Sequence, residues 1–188
     1  MNTPRHAMCS FIFVSCLILA IAYPSFSCPT VCEKEINLRV YLHQVVEGPT
    51  QNQASMVNST RALSFGTMAV NDWTILVAPN PTATIIARAK GMHVQADQAN
   101  VAGWFTYLSI VFQDARFSGS TLVTMGMSPQ DGQWAIVGGT GEFANAHGII
   151  KFRALPNSPK HQNFKELDIH AFYNPEAVNA TGTAVLYI

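Results

Sequence analysis

From residue 36 onward the chain alternates. Ile36, Leu38, Val40 and Leu42 are apolar while Asn37, Arg39, Tyr41 and His43 between them are polar or amphipathic, the period of two that puts one face of a strand against a core. Short segments of strand character recur at 61–70, 85–96, 103–112, 120–127, 133–138, 148–155 and 164–173, which with the first makes eight. Turn chemistry separates them: Glu47-Gly48-Pro49, Ala78-Pro79-Asn80-Pro81, Ser118-Gly119, Ser128-Pro129-Gln130-Asp131-Gly132 and Pro156-Asn157-Ser158-Pro159. No stretch after residue 35 carries a sustained helical stripe. Short, evenly spaced strands predict an all-β antiparallel barrel or sandwich, and closure into a barrel removes exposed edges. No internal repeat or domain boundary interrupts the pattern, and the tail 174–188 reads as a further strand or a loose end.

The first residues follow another rule. Met1 to Ser10 holds Arg5 and His6 without an acid, Phe11 to Ala22 is an apolar run, and Ser25-Phe26-Ser27 offers small residues for cleavage. This is the layout of a secretory signal over 1–27, with the run too short to span a bilayer comfortably. The expectation is a secreted, extracellular protein whose domain occupies 28–188, with no membrane attachment after cleavage. Cys28 and Cys32 are then the cysteines left to pair in an oxidising compartment, in a staple confined to the N-terminus. A metal site is not expected, since Cys28-Pro29-Thr30-Val31-Cys32 has no second pair to complete it. Sequons at Asn58 and Asn179 are candidate glycosylation sites.

Charge narrows the partners. Eleven Lys and Arg balance eleven Asp and Glu, and no basic stripe is present to hold nucleic acid or anionic lipid. Charged residues are only 12% of the chain, which points to surface covered by an oligomer or by sugars.

The richest stretch is Trp134-Ala135-Ile136-Val137-Gly138-Gly139-Thr140-Gly141-Glu142-Phe143-Ala144-Asn145-Ala146-His147-Gly148. Its glycines permit a sharp turn and close backbone approach, and so predict Glu142 at the rim of a cavity. The turn resembles the signature of the plant dirigent family. Further family landmarks follow in order: Tyr41-Leu42-His43-Gln44-Val45, Phe65-Gly66-Thr67, Ala87-Arg88-Ala89-Lys90-Gly91, Trp104-Phe105-Thr106-Tyr107, Val111-Phe112 and Phe117-Ser118-Gly119-Ser120-Thr121-Leu122. They span residues 38 to 173 and look most like the disease-response dirigent proteins of monocots.

The resemblance implies an eight-stranded antiparallel β-barrel, assembled as a homotrimer, that imparts stereoselectivity on the coupling of phenoxy radicals such as those of coniferyl alcohol. A separate laccase or peroxidase supplies the radicals. The protein itself needs no cofactor and has no oxidase activity of its own. Related proteins suggest two alternatives: a dehydratase or cyclase acting through a quinone methide, and a defence-related binding protein for phenolics.

The family's proton-handling positions map to Glu142, Gln44 and His147, and all three depart from the usual aspartate, aspartate and arginine. Glu142 keeps a carboxyl that can act as general acid if buried, or is a solvated turn residue. Gln44 can hydrogen-bond a phenol but not supply a proton as an acid. His147 is either a cation near its ordinary pKa of ~6.5 or an ordinary strand-end histidine. Tyr107 matches a cavity tyrosine of the family, and alternation allows only one pair inside. Phe105 and Tyr107 are expected inward, Trp104 and Thr106 outward. His43 is a candidate for substrate contact or a structural hydrogen bond, and His93 and His170 are read as structural.

Overall fold

The computed structural model describes residues 33–156 and 158–175. Residues 1–27, Cys28, Cys32, Asn179 and most of the tail, with the expectations attached to them, lie outside the described residues. Nine strands run in chain order: β1 (Lys34–Val45), β2 (Gln53–Val57), β3 (Met68–Leu76), β4 (Ile85–Gln95), β5 (Trp104–Phe112), β6 (Thr121–Met127), β7 (Asp131–Thr140), β8 (His147–Ala154) and β9 (Gln162–Tyr173). Each strand from β3 to β9 pairs antiparallel with the next, and β9 pairs with β1 along its whole length. Closure comes where Tyr41, Leu42 and His43 face Leu76, Ile75 and Thr74. Strands β1 and β3–β9 thus form the expected eight-stranded antiparallel barrel.

β2 is the ninth strand, paired only with the first half of β3. It takes over the flank of β3 that β1 leaves. Asn52 stitches the two pieces: its Oδ1 accepts from Val45 N (2.8 Å) and its Nδ2 donates to His43 O (3.0 Å). Its backbone carbonyl accepts from Asp72 N (2.9 Å). One side chain here supplies the partners that an uninterrupted ladder would have provided.

The strand expected at 61–70 is displaced. Ala62–Ser64 is a 3₁₀ turn in which Leu63 and Ser64 have positive φ (55° and 58°), and the strand starts at Met68. It continues through Asn71-Asp72, which looks like a polar break. Asn71 instead faces inward and donates to Ala89 O (3.3 Å), while Asp72 faces outward and pairs with Arg88 (2.7 Å).

Alternation separates the lumen from the outer wall. Leu42, Ile75, Ala87, Leu108, Ile110, Leu122, Ile150 and Leu167 are buried in the core, and the register puts them on the same inner face from strand to strand. One end of the lumen is filled. The 3₁₀ turn Gly141–Phe143 folds beneath the end of β7 and drives Phe143, fully buried, between Phe112, Phe117 and Tyr173, with ring centroids 5.0, 4.8 and 5.2 Å away. A Cβ on Gly139 would fall on the backbone oxygens of Phe143 and Thr121, so only glycine lets the turn tuck in. Gly141, at φ +66°, makes the reversal.

Candidate functional site

At the opposite end, where β1, β4, β6 and β8 finish, the barrel opens into a cavity of about 630 Å³, within the range of small-molecule sites. All three tryptophans of the chain line it: Trp73 from β3, Trp104 from β5 and Trp134 from β7. Trp73 Nε1 donates to Gln53 Oε1 (2.8 Å), a residue contributed by β2. Trp134 Nε1 donates to Ser128 Oγ (2.9 Å), which lies 2.6 Å from Thr106 Oγ1. With two of the indole N–H groups satisfied by protein, the apolar ring surfaces are what these side chains add to the walls.

Two titratable groups sit among the rings. His93 packs 5.2 Å from Trp73 and 4.9 Å from Trp104, and burial pushes its pKa down to about 4. The Asn71 amide, oriented by its bond to Ala89 O, turns its Oδ1 toward His93 Nδ1 at 3.3 Å. Neutral His93 therefore carries its proton on Nδ1, which leaves Nε2 as an acceptor with no protein partner among the described residues. Lys165 Nζ donates to Pro129 O (2.8 Å) and lies 4.5 Å from the centroid of Phe152. Burial lowers its pKa to about 8, with the charge of Asp131 opposing the shift. Among the described residues no cluster of His, Cys, Asp and Glu is gathered for a metal.

Of the residues singled out in the sequence, Gln44 lines this cavity, on the inner face of β1 opposite Asn163 of β9. His43 is on the other face of β1, buried against Phe164 in a stacked pair (4.3 Å), with Nε2 2.8 Å from Gln162 Oε1. The expected orientation of β5 is reversed. Phe105 and Tyr107 are 36% and 41% exposed on the outer wall, whereas Trp104 and Thr106 face the cavity. The register explains it: Leu108, Ile110 and Phe112 share the phase of Trp104 and Thr106 and are buried in the core.

Glu142 and His147 are at the filled end, away from the cavity. Glu142 pairs with Lys34 (3.1 Å) on the surface, and His147 Nδ1 is 3.7 Å from Glu33 with its ring stacked on Phe172 (5.6 Å). The glycine turn buries Phe143 and levers the preceding carboxylate outward, so the expectation of Glu142 at a cavity rim is corrected. Asn58 is exposed just beyond β2.

Trp73, Trp134 and Lys165 were not singled out as site residues from the sequence, and His93 was read there as structural. A signal existed for two of them. His93 continues the inward phase of Ala87, Ala89 and Gly91, and Lys165 continues that of Leu167, Ile169 and Ala171.

Comparison with known proteins agrees with this architecture. The family model for dirigent-like proteins matches residues 35–172. Pterocarpan synthase 1 of Glycyrrhiza echinata is 31% identical over 177 residues, covering 87% of this chain and 92% of that protein. Dirigent protein 21 of Arabidopsis thaliana is 32% identical over 130 residues, 65% of this chain and 68% of its own. The solved structure of the pterocarpan synthase dirigent protein GePTS1 superposes with a TM-score of 0.68 at 29% identity, over 75% of this chain and 86% of that one. With the closed barrel, the in-phase lumen and a match across nearly the whole described domain, the chain belongs to the dirigent family.

Proposed function

We propose that this protein holds flat phenolic intermediates in its open mouth and dictates the face on which they bond, giving stereoselective coupling of phenoxy radicals of the coniferyl alcohol type. The observation that carries this reading is the cavity at the open end of the barrel, walled by Trp73, Trp104 and Trp134. Radicals arrive from a separate laccase or peroxidase. Their coupling has almost no barrier, so positioning alone changes the outcome. A preference of ~1.4 kcal/mol between two faces already yields tenfold excess of one product. The test combines protein, oxidase and coniferyl alcohol and separates the dimers on a chiral column. An optically active mixture with an unchanged oxidation rate is expected, and racemic dimers from several monolignols would refute the reading.

A second reading is supported by His93 and by the similarity to pterocarpan synthase 1. A phenol bearing a benzylic hydroxyl loses water to give a quinone methide, and a second hydroxyl then adds to close a ring and restore the phenol. His93 Nε2 accepts the phenolic proton and, as a strongly acidic imidazolium, returns it to the departing hydroxide. Ring closure from such a precursor with no oxidant present would favour this reading over radical coupling.

In both readings 1–27 is a secretory signal and the protein acts outside the cell. The outer wall supports self-association. Val70, Met92, Tyr107, Met125 and Ala135 form one row across β3–β7, with Val94, Phe105 and Met127 beside it. Such an apolar patch is suited to burial in a homotrimer. Light scattering of Tyr107→Lys should give monomers, and an unchanged assembly would exclude this face.

A further inference from the structure

Lys165 breaks the rule of its own strand. β9 turns Leu167, Ile169, Ala171 and Tyr173 inward, and Lys165 shares their phase. Its register partners Leu42 on β1 and Ala154 on β8 are apolar as well. An ammonium group in such a place is costly unless something compensates it. The protein compensates it only in part. One of its three protons is spent on Pro129 O, the face of the Phe152 ring lies 4.5 Å from Nζ, and among the described residues it has no ion-pair partner. Among the described residues, none that lines the cavity is Asp or Glu. The nearest acid in effect, Asp131, lies at the mouth, where its Oδ1 accepts from Ala154 N at 3.1 Å. Gln44, Gln162 and Asn163 add neutral amides beside the lysine. His93, kept neutral by burial, adds no charge of either sign near neutral pH.

We propose that the cavity takes an aromatic guest bearing a carboxylate, with Lys165 as its counter-ion: an acid of the hydroxycinnamate type rather than the neutral alcohol. This rests on the reading that the cavity holds phenolics and names the substrate class within it. The three indoles receive the ring, and the face of Nζ not turned to Pro129 O or to the Phe152 ring receives the carboxylate. A phenolate matches less well. Phenols ionise near pH ~10, above the point near pH 8 at which Lys165 gives up its proton, whereas a carboxylate is ionised above pH ~5 and so shares with the charged lysine the whole span from there to about pH 8.

Ferulate and coniferyl alcohol share the ring, the phenol and the methoxy group and differ at the end of the side chain, which makes them the matched probes. Isothermal titration at pH 6.5 should show ferulate binding about tenfold tighter, the scale of a charge-assisted hydrogen bond in a partly desolvated site. Lys165→Met should erase the preference and Lys165→Arg should keep it, each variant checked for a cooperative melt. With 3,4-dimethoxycinnamate, whose phenol is capped, the preference over its alcohol should persist and fade between pH 7 and 9 as Lys165 deprotonates. Equal wild-type affinities overturn the inference, as does a preference that survives Lys165→Met or disappears when the phenol is capped. If coniferyl alcohol binds and ferulate gains nothing, only the carboxylate assignment fails. If neither binds, the cavity reading falls with it.

Discussion

Removing the ring that seals the barrel should be among the most damaging single changes. Phe143 is fully buried and touches Phe112, Phe117 and Tyr173 at centroid distances of 4.8–5.2 Å. Phe143→Ala deletes the ring from a closed site whose neighbours are held by strands, so collapse into the void is limited. Truncations of this kind cost about 3–5 kcal/mol, set against total stabilities of about 5–15 kcal/mol. At roughly 2–4 °C per kcal/mol for a domain of this size, the melting temperature should fall by about 10 °C. Urea unfolding followed by tryptophan fluorescence measures the loss, with Phe105→Ala as the control because that ring is half-exposed on the outer wall. Guest affinity below the transition should be unchanged, since the cavity lies at the other end. A Phe143→Ala protein that melts within about 2 °C of wild type would show that the turn does not seal the barrel through this ring.

Three further outcomes follow from the geometry. Trp104→Ala should weaken binding of coniferyl alcohol in a titration while Phe105→Ala should not, and the reverse would put the other face of β5 inside. Glu142→Gln should leave the enantiomeric ratio of coupled products unaltered and stability within about 1 kcal/mol, the scale of an exposed ion pair; a racemic mixture from this variant would bring the filled end into the chemistry. Burial holds His93 near pKa 4 in the folded protein, below the ~6.5 of an unfolded histidine, so the unfolded chain takes up the proton first. Its contribution is then intact above about pH 6.5 and declines as the pH falls toward 4. Thermal melts across that window should drop more steeply for wild type than for His93→Gln, and parallel curves would exclude a buried His93.

The eight-stranded closed barrel was readable because alternation and turn chemistry agree along most of the chain, whereas the short flanking strand β2 was not. Where they disagreed, the reading slipped. Asn71-Asp72 looks like a break, yet each side chain finds a partner on its own side of the sheet, Ala89 O within and Arg88 without. In Trp104-Phe105-Thr106-Tyr107 both faces carry an aromatic ring, so the motif cannot say which points inward. The phase is decided further along, by Leu108, Ile110 and Phe112. The glycine turn misled for a different reason. Backbone freedom at Gly139 and Gly141 was legible, but the group that freedom serves is Phe143, whose partners Phe112, Phe117 and Tyr173 come from distant parts of the chain. His93 and Lys165 acquire their character only when Trp73, Trp104, Phe152 and Pro129 surround them, and those neighbours are set by strand register across the sheet.

The aromatic seal at one end also has a kinetic meaning. With one end closed among the described residues, guests enter and leave through the same mouth, so under the proposed function a coupled product and an incoming substrate compete for one threshold and egress becomes part of the cycle.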